Sequence, residues 1–178
     1  MNIDMKRIAG TNDPLFNDFK ALYADSFPVF EQRTEKHQAS AFLHSNYHVE
    51  AYVEQEQFIG FIAYWAFQDY LYIEHYAIHK QLRGQGYGSR ILQSFIASHP
   101  EKVLLEIDPI QDEISAARLR FYQHCGFVVN THRHVHPPYR EGYHGHDLLV
   151  LTTQRTITAE EYKQFATDLS LTVMEGDR

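Results

Sequence analysis

The chain has 178 residues, 44% of them hydrophobic and 22% charged, which fits one globular domain with a sizeable core and excludes a disordered or fibrous protein. Its net charge of −7, with histidine counted as neutral, argues against non-specific nucleic-acid binding and admits cationic or neutral substrates. A single cysteine, Cys125, excludes an intramolecular disulfide and a cysteine metal cluster.

The start of the chain predicts a short edge strand followed by two helices. Residues 2–8 suit the strand, and Asp13 followed by Pro14 suits the N-cap and first position of a helix. The second helix is predicted over Thr34–Leu43. The N-terminus has no apolar run of the signal-peptide kind, and no stretch approaches a membrane span, so we expect a cytoplasmic protein that does not contact membranes.

Three strands joined by short turns are predicted next, which implies an antiparallel sheet. Tyr47–Val53 alternates apolar and polar residues, as in a half-exposed strand. Phe58–Ala66 has few polar atoms and predicts a strand buried on both faces. Leu71–Ile78 is rich in aromatic and aliphatic residues and predicts a third, buried strand.

A glycine turn follows the third strand and leads into a helix. Gly84, Gly86 and Gly88 break the chain, and from Ile91 to Ile96 apolar residues recur at helical spacing. The free N–H groups of a first helical turn lie at the positive end of the helix dipole, and glycines let an anion approach them. The turn therefore predicts a phosphate or pyrophosphate site.

Other phosphate-binding turns fit this stretch less well. A P-loop requires Lys and Ser or Thr after its last glycine, whereas Gly88 is followed by Ser89 and Arg90. A dinucleotide fingerprint places its third glycine where Ser89 stands, although Glu106 lies at a suitable distance for a ribose contact. The chain after Glu106 is too short for a doubly wound fold. A plain glycine-rich connection remains open, as does, more remotely, a nicotinamide-dependent enzyme.

Further along, the predicted elements are a strand, a helix, a histidine-rich segment and a last helix. Val103–Ile107 predicts a strand, and the helical crossover before it implies parallel pairing. Leu119 and Tyr122 share a helical face that ends near Gly126. Leu148–Leu151 predicts a closing strand.

Alternating histidines precede the closing strand. His132, His134 and His136 would share one face of a strand, and His144 and His146 alternate again after a Pro137–Gly142 loop. Their spacing is compatible with zinc or copper, or with a polar strand face or the lining of an acceptor pocket. No acid or cysteine completes a ligand set, so no metal is expected.

The tail carries a capping box, Thr158-x-x-Glu161, followed by Tyr162, Phe165 and Leu169 at helical spacing. We expect a helix packed on the domain or on a partner subunit, which makes a homodimer plausible. The expected division is a main domain over residues 1–155 and a helical extension over 156–178, packed on the same domain.

Two motifs in order carry a family resemblance. Gln81-x-x-Gly84-x-Gly86 and the F-Y-x-x-x-G-F ending at Phe127 resemble the GNAT superfamily of N-acetyltransferases. The resemblance covers the chain up to the C-terminal helix, and the HPPYREG loop is similar to that of an uncharacterised subgroup. It implies an α/β, single-domain GNAT fold: a mixed, mostly antiparallel twisted sheet flanked by helices, with an extra C-terminal helix.

The resemblance also implies acetyl-CoA as co-substrate and assigns candidate roles. In the family the pantetheine arm bonds to backbone groups of the central strand, here Tyr76, Ala77 and Ile78. The residues implied for the pyrophosphate are Arg83, Gly84, Gln85, Gly86, Tyr87, Gly88 and Ser89. The loop between the first two helices, with Phe27, Val29 and Phe30, would help to wall the acceptor pocket or would simply belong to the core.

The implied reaction is direct attack of a primary amine, from a small molecule or a peptide, on the thioester. Tyr122 would be the general acid, because a tyrosine keeps its proton at neutral pH. For the general base we take Glu74 first and Glu106 second, although either carboxylate could instead be a structural partner. The alternative is a non-catalytic acyl-CoA-binding sensor or partner subunit. Cys125, in an apolar context, is not expected to be a nucleophile.

Overall fold

The computed structural model describes residues 2–175, so Met1 and the last three residues of the predicted extension 156–178 lie outside the described residues. The strands are β1 Asp4–Ile8, β2 Tyr47–Glu54, β3 Gln57–Ala66, β4 Tyr70–Ile78, β5 Lys102–Ile107, β6 Phe127–Val129, β7 Val135–His136, β8 His146–Asp147 and β9 Leu149–Thr153. The helices are α1 Phe16–Ser26, α2 Glu35–Phe42, α3 Tyr87–Ser98, α4 Glu113–His124 and α5 Ala159–Asp168. Within residues 2–175, no helix has the length and apolar character needed to cross a bilayer.

One seven-stranded sheet, in the order β1-β2-β3-β4-β5-β9-β6, organises the molecule. β1 to β4 pair antiparallel and β4 pairs parallel with β5, which confirms the predicted mixed, mostly antiparallel sheet. Parallel pairing does not continue beyond β5. The closing strand β9 lies between β5 and β6 and pairs antiparallel with both. The strand that follows α4, β6, is therefore at the edge of the sheet and does not pair with β5.

Helices cover both faces of the sheet. One core, with Phe19, Phe61 and Phe165 among its members, contains residues of α1, α2 and α5. The other contains residues of α3, including Ile91 and Phe95. The prediction that β2 is half-exposed is therefore wrong, because its neighbours and the helices bury it almost throughout. Its polar Glu50 is buried and accepts hydrogen bonds from two tyrosine hydroxyls, those of Tyr52 and Tyr64.

The predicted helix starts are right for α2 and α5 and displaced for α1. Thr34 caps α2 by accepting the His37 N–H, and Thr158 and Glu161 form the expected capping box of α5. Asp13 does not cap α1. Its carboxylate instead accepts the N–H groups of Ala9 and Leu15 and closes a turn, so that the helix begins only at Phe16.

Close approach of β3 to β4 requires a glycine at position 60. A Cβ added to Gly60 would lie 2.3 Å from the Ala77 carbonyl oxygen, and backbone there cannot yield without moving β4. We expect Gly60→Ala to lower the free energy of unfolding by about 1–3 kcal/mol through overpacking.

Urea denaturation measures this effect, with Gly10→Ala as the matched control, since a Cβ at Gly10 meets nothing within 4 Å. Equal stability of the two variants would show that β3 and β4 are not packed as described.

Candidate active site

A cleft opens where β4 and β5 stop pairing. The two strands pair only from Tyr70 with Lys102 to Tyr72 with Leu104, although both continue beyond that point. The second half of β4 stays paired to β3 as far as Ile78, so its backbone groups on the β5 side face a cleft of about 1290 Å³. Gaps of this kind between strand ends are common ligand sites.

The glycine turn forms one end of this cleft. Gly84 and Gly86 have φ of +79° and +85°, and α3 begins directly afterwards at Tyr87. Nothing lies within 4 Å of a Cβ built on either glycine, so the first-turn N–H groups can be approached closely by an anion. The Tyr76 hydroxyl donates to the Gly88 carbonyl over 2.6 Å and ties this turn to β4.

Most of the residues expected to bind the co-substrate line the cleft. They are Tyr76, Ala77, Ile78, Arg83, Gly84, Gly86, Gly88 and Ser89. The side chains of the other two point elsewhere: Tyr87 is buried and its hydroxyl donates to Glu54, while the Gln85 amide donates to the Gln81 carbonyl. Neither residue is among those that line the cleft, so their expected contribution to a phosphate site is the backbone N–H group of each.

Tyr122 lies in the wall of the cleft, on α4. Its ring packs against Phe121 and Phe127. Burial raises the pKa of Tyr122 to about 12, so the hydroxyl is protonated at neutral pH and can donate. Cys125, on the same side of the sheet, is buried in an apolar environment that raises the pKa of its thiol.

Glu74 is completely buried in a network of donors. Its carboxylate pairs with Arg33 at 3.1 Å and accepts 2.8 Å hydrogen bonds from Trp65 Nε1 and the Tyr139 hydroxyl. Burial alone would raise its pKa, but Arg33, His75 and these hydrogen bonds outweigh it and hold the pKa of Glu74 at about 2. A carboxylate in this state is a weak base at neutral pH.

A β-bulge at Glu74 places Tyr76 on a face that strand alternation does not predict. Ala63 pairs with His75 and Tyr64 with Ile73, which leaves Glu74 as the extra residue. Glu74 therefore shares a face with Tyr72, as predicted, but Tyr76 packs into the opposite core, against the prediction. Alternation fails because the extra residue reverses every side chain that follows it.

Glu106 lies in the cleft wall on β5, with its side chain only 6% exposed. One carboxylate oxygen accepts a hydrogen bond from the Tyr72 hydroxyl, and the other lies 2.5 Å from His134 Nε2. Burial opposes ionisation, but His136, His134 and Tyr72 together lower the pKa of Glu106. Glu106 is thus an ionised carboxylate that borders the cleft.

The alternating histidines do not form the continuous strand that was predicted. Only Val135–His136 pairs, with β8, and the preceding residues are irregular. His132 stacks on Tyr162 of α5, whereas His136 and His146 line the cleft, as one of the sequence interpretations anticipated. In the described part of the chain, no three His, Cys, Asp or Glu side chains are grouped to hold a metal ion.

The Pro137–Gly142 loop is fixed over the cleft by two residues. The Tyr139 hydroxyl bonds to Glu74, and the Arg140 guanidinium donates to the carbonyls of Gln32 and Arg33, at 3.1 and 3.2 Å. Arg33 in turn donates to the Val173 carbonyl over 2.7 Å. The loop, the segment before α2 and the C-terminal segment are therefore joined around one buried ion pair.

Two of the three apolar residues expected at the acceptor pocket line the cleft. They are Phe27, whose ring contacts His75, and Phe30, whose edge contacts His146. Val29 is 53% exposed and is not among the residues that line the cleft. Acidic side chains, Glu31 and Asp108, also line it, and burial followed by the nearby Asp108 raises the pKa of Glu31.

Sequence reasoning missed Arg33 and Tyr139 as residues that shape the site. Arg33 stands in a polar stretch with no motif around it, so nothing local marks it as the partner of Glu74. For Tyr139 the sequence carries a signal, because the residue lies in the HPPYREG loop between the alternating histidines.

Comparisons with known proteins agree with this geometry. The model of the acetyltransferase (GNAT) family matches residues 16–127. A GNAT-family protein from Bacteroides thetaiotaomicron is 27% identical and superposes with a TM-score of 0.89 over 96% of this chain and 98% of that one. No curated protein matches the sequence.

More distant solved structures share the fold. A Bacillus subtilis acetyltransferase in complex with CoA is 15% identical, with a TM-score of 0.60 over 85% of this chain and 98% of that one. A spermidine N-acetyltransferase variant from Vibrio cholerae is 12% identical, with a TM-score of 0.61 over 84% of this chain and 92% of that one. Because the family model covers more than half of its residues, the chain belongs to the GNAT family of acetyltransferases.

Proposed function

We propose that this protein transfers the acetyl group of acetyl-CoA to a primary amine by direct attack, without a covalent enzyme intermediate. The observation that carries the proposal is the cleft between β4 and β5, which has a glycine turn at a helix N-terminus, a protonated tyrosine and an ionised carboxylate in its walls. The amine acceptor, small molecule or peptide, would enter beside Phe27 and Phe30.

The residues of the cleft fit acetyl-CoA. The backbone of Tyr76, Ala77 and Ile78 would bond the pantetheine arm, since it faces the gap left by β5. The turn from Arg83 to Ser89 would hold the pyrophosphate through N–H groups at the positive end of α3. Holding thioester and amine together can supply about 7–11 kcal/mol of the reduction in activation free energy.

In the proposed reaction the amine nitrogen forms a bond to the thioester carbonyl carbon, and the carbon–sulfur bond breaks. Sulfur takes a proton from Tyr122, which regains one from the nitrogen as the amide forms. Tyr122 suits this role because burial keeps its hydroxyl protonated. The backbone N–H groups on the free side of β4 are suited to stabilise the negative carbonyl oxygen.

We propose that Glu106, rather than Glu74, is the carboxylate that contacts the nitrogen of the acceptor amine. Both border the cleft, but Glu74 is fully engaged by Arg33, Trp65 and Tyr139 and has a pKa of about 2. These contacts favour a structural role for Glu74. Glu106 and the acidic side chains of Glu31 and Asp108 would attract a protonated amine.

A turnover assay tests the function. Release of CoA from acetyl-CoA is followed with three amines: spermidine, tryptamine and a peptide with a free N-terminal alanine, with N-acetylglutamate as an acceptor lacking an amine. We expect turnover with at least one amine and none with N-acetylglutamate, and a preference for the cationic spermidine if the acidic residues act as proposed.

The alternative is an acyl-CoA-binding sensor without catalysis. It is supported if the protein binds acetyl-CoA yet none of the three amines accelerates CoA release, a result that would contradict the proposed transfer. We retain a cytoplasmic location as part of the proposal, because acetyl-CoA is an intracellular substrate.

A further inference from the structure

The His136 ring is buried at the acceptor end of the cleft with a defined orientation. Its side chain is 2% exposed, and its Nδ1 lies 2.6 Å from the Pro137 carbonyl oxygen. A carbonyl oxygen only accepts hydrogen bonds, so Nδ1 must carry the proton. In the neutral ring the lone pair then lies on Nε2.

Nε2 of His136 has no hydrogen-bond partner among residues 2–175. It lies 4.0 Å from Glu106 Oε1, and the ring borders the cleft. Buried polar atoms are nearly always paired, so an unpaired nitrogen facing a cavity indicates a ligand that supplies the missing partner. That ligand must present N–H or O–H donors, since a neutral Nε2 and an ionised carboxylate are both acceptors here.

A primary ammonium meets this requirement. It carries several N–H donors on one nitrogen, and hydrogen bonds of about 2.7–3.2 Å allow that nitrogen to bridge two acceptors at the observed separation. Nearby groups are less suited to take its proton. Both ring nitrogens of His134 are engaged, by Tyr162 and Glu106. His75 Nε2 lies 2.9 Å from the Glu31 carbonyl oxygen. Its Nδ1 has no hydrogen-bond partner in the described part of the chain, but it lies 3.7 Å from the Glu74 carboxylate, which Arg33, Trp65 and Tyr139 already engage.

We propose that His136 Nε2 and Glu106 Oε1 together hold the nitrogen of the acceptor amine, and that His136 is the general base that removes its proton. This role rests on the N-acetyl transfer proposed above. One N–H bond of the ammonium breaks, its proton moves to Nε2, and its electron pair stays on nitrogen as the lone pair that attacks. The resulting imidazolium faces the Glu106 carboxylate, which stabilises the positive charge.

Several titratable or charged groups surround His136 and will shape its pH dependence. Tyr139 stacks on the ring at 4.8 Å and His146 of β8 at 5.6 Å. The others are Glu106 of β5 with its partners Tyr72 and His134, and His75 and Glu74 of β4 with Arg33. A change in the pH profile is therefore assigned to His136 only by comparison with a variant at that position.

His136→Gln provides the main test, because glutamine can place an amide near the Nε2 position but cannot take a proton at neutral pH. Kinetics use the best acceptor of the three amines named above. We expect kcat to fall by about a hundredfold or more, with a much smaller change in KM and loss of the acid limb of the kcat/KM profile. Acetyl-CoA affinity by calorimetry should not change. His144→Gln, an exposed histidine that does not line the cleft, is the control and should behave as wild type.

The outcomes separate this role from the proposed function. If the wild-type protein turns over no amine, the proposed function fails. If wild type is active and His136→Gln keeps its kcat within about twofold and its pH profile, only the role of His136 is overturned.

If the His136→Gln variant does not fold, a measurement on the wild-type protein without substrate still tests the proposal. The histidine ring nitrogens of ¹⁵N-labelled protein are observed by NMR at pH 8.5 and assigned by comparison with His136→Asn, which can retain a donor to the Pro137 carbonyl. The proposal expects a proton on Nδ1 of His136 and none on Nε2. The opposite tautomer would overturn it.

Discussion

Replacing Glu74 by glutamine is expected to lower the free energy of unfolding by about 3–5 kcal/mol, because it leaves the Arg33 guanidinium buried without its counter-charge. The side chains of the pair are 1% and 0% exposed, so water cannot replace the lost carboxylate. The loss should reach beyond β4, since the same ion pair joins the Tyr139 loop and the Val173 carbonyl.

Denaturant unfolding of wild type, Glu74→Gln and the double variant Arg33→Met, Glu74→Met measures the effect. The double variant should be more stable than Glu74→Gln, because no buried charge remains uncompensated. Glu35→Gln removes a carboxylate whose pair with Lys20 is exposed, and should leave stability essentially unchanged. A Glu74→Gln protein as stable as Glu35→Gln would contradict the structural role.

The same pair predicts a pH dependence with a definite sign. The folded-state pKa of Glu74 is about 2, below the ordinary value of 4.5, so its contribution to stability is complete above pH 4.5 and is lost as pH falls towards 2. Over that range the unfolding free energy of wild type should fall more steeply than that of Glu74→Gln.

Replacing Tyr122 by phenylalanine should reduce kcat by about 10²–10⁴-fold, because the leaving sulfur loses its proton donor. Acetyl-CoA affinity should change little, since the variant keeps the ring that packs against Phe121 and Phe127. Steady-state kinetics with the best panel amine and calorimetry on the same preparation separate the two quantities.

Tyr143→Phe is the matched control, because Tyr143 is 46% exposed and does not line the cleft. It should retain wild-type kinetics. If Tyr122→Phe has the same kcat as Tyr143→Phe, Tyr122 is not the general acid, and its only role is to pack against its neighbours.

The parts of the fold that sequence predicts are those determined by local chemistry. The glycine turn between β4 and α3 follows from the positive φ of Gly84 and Gly86, and the start of α5 from the capping box of Thr158 and Glu161. Each of these depends on residues a few positions apart. The end of α4 is of the same kind, since Gly126 has a φ of +104° directly after the helix.

The candidate site depends on contacts between residues that are far apart in the sequence, and the spacing of residues does not predict such contacts. The partner of Glu74 is Arg33, 41 residues earlier, and a bulge at Glu74 decides the face on which Tyr76 lies. The alternating histidines correctly indicated a lining of the pocket but wrongly predicted a continuous strand. Of His132, His134 and His136, only His136 pairs in a hairpin, with His146, while His132 turns towards α5. The unpaired Nε2 of His136 becomes visible only once Pro137 and Glu106 are placed around the ring.

Calorimetric titration with acetyl-CoA, with NAD as the control, tests the central claim most directly. The cleft between β4 and β5 and the Arg83–Ser89 turn predict micromolar binding of acetyl-CoA and no heat with NAD. Absence of acetyl-CoA binding by the folded protein would mean that the turn only connects a strand to a helix, and it would contradict the proposed acetyl transfer together with the roles of Tyr122 and His136.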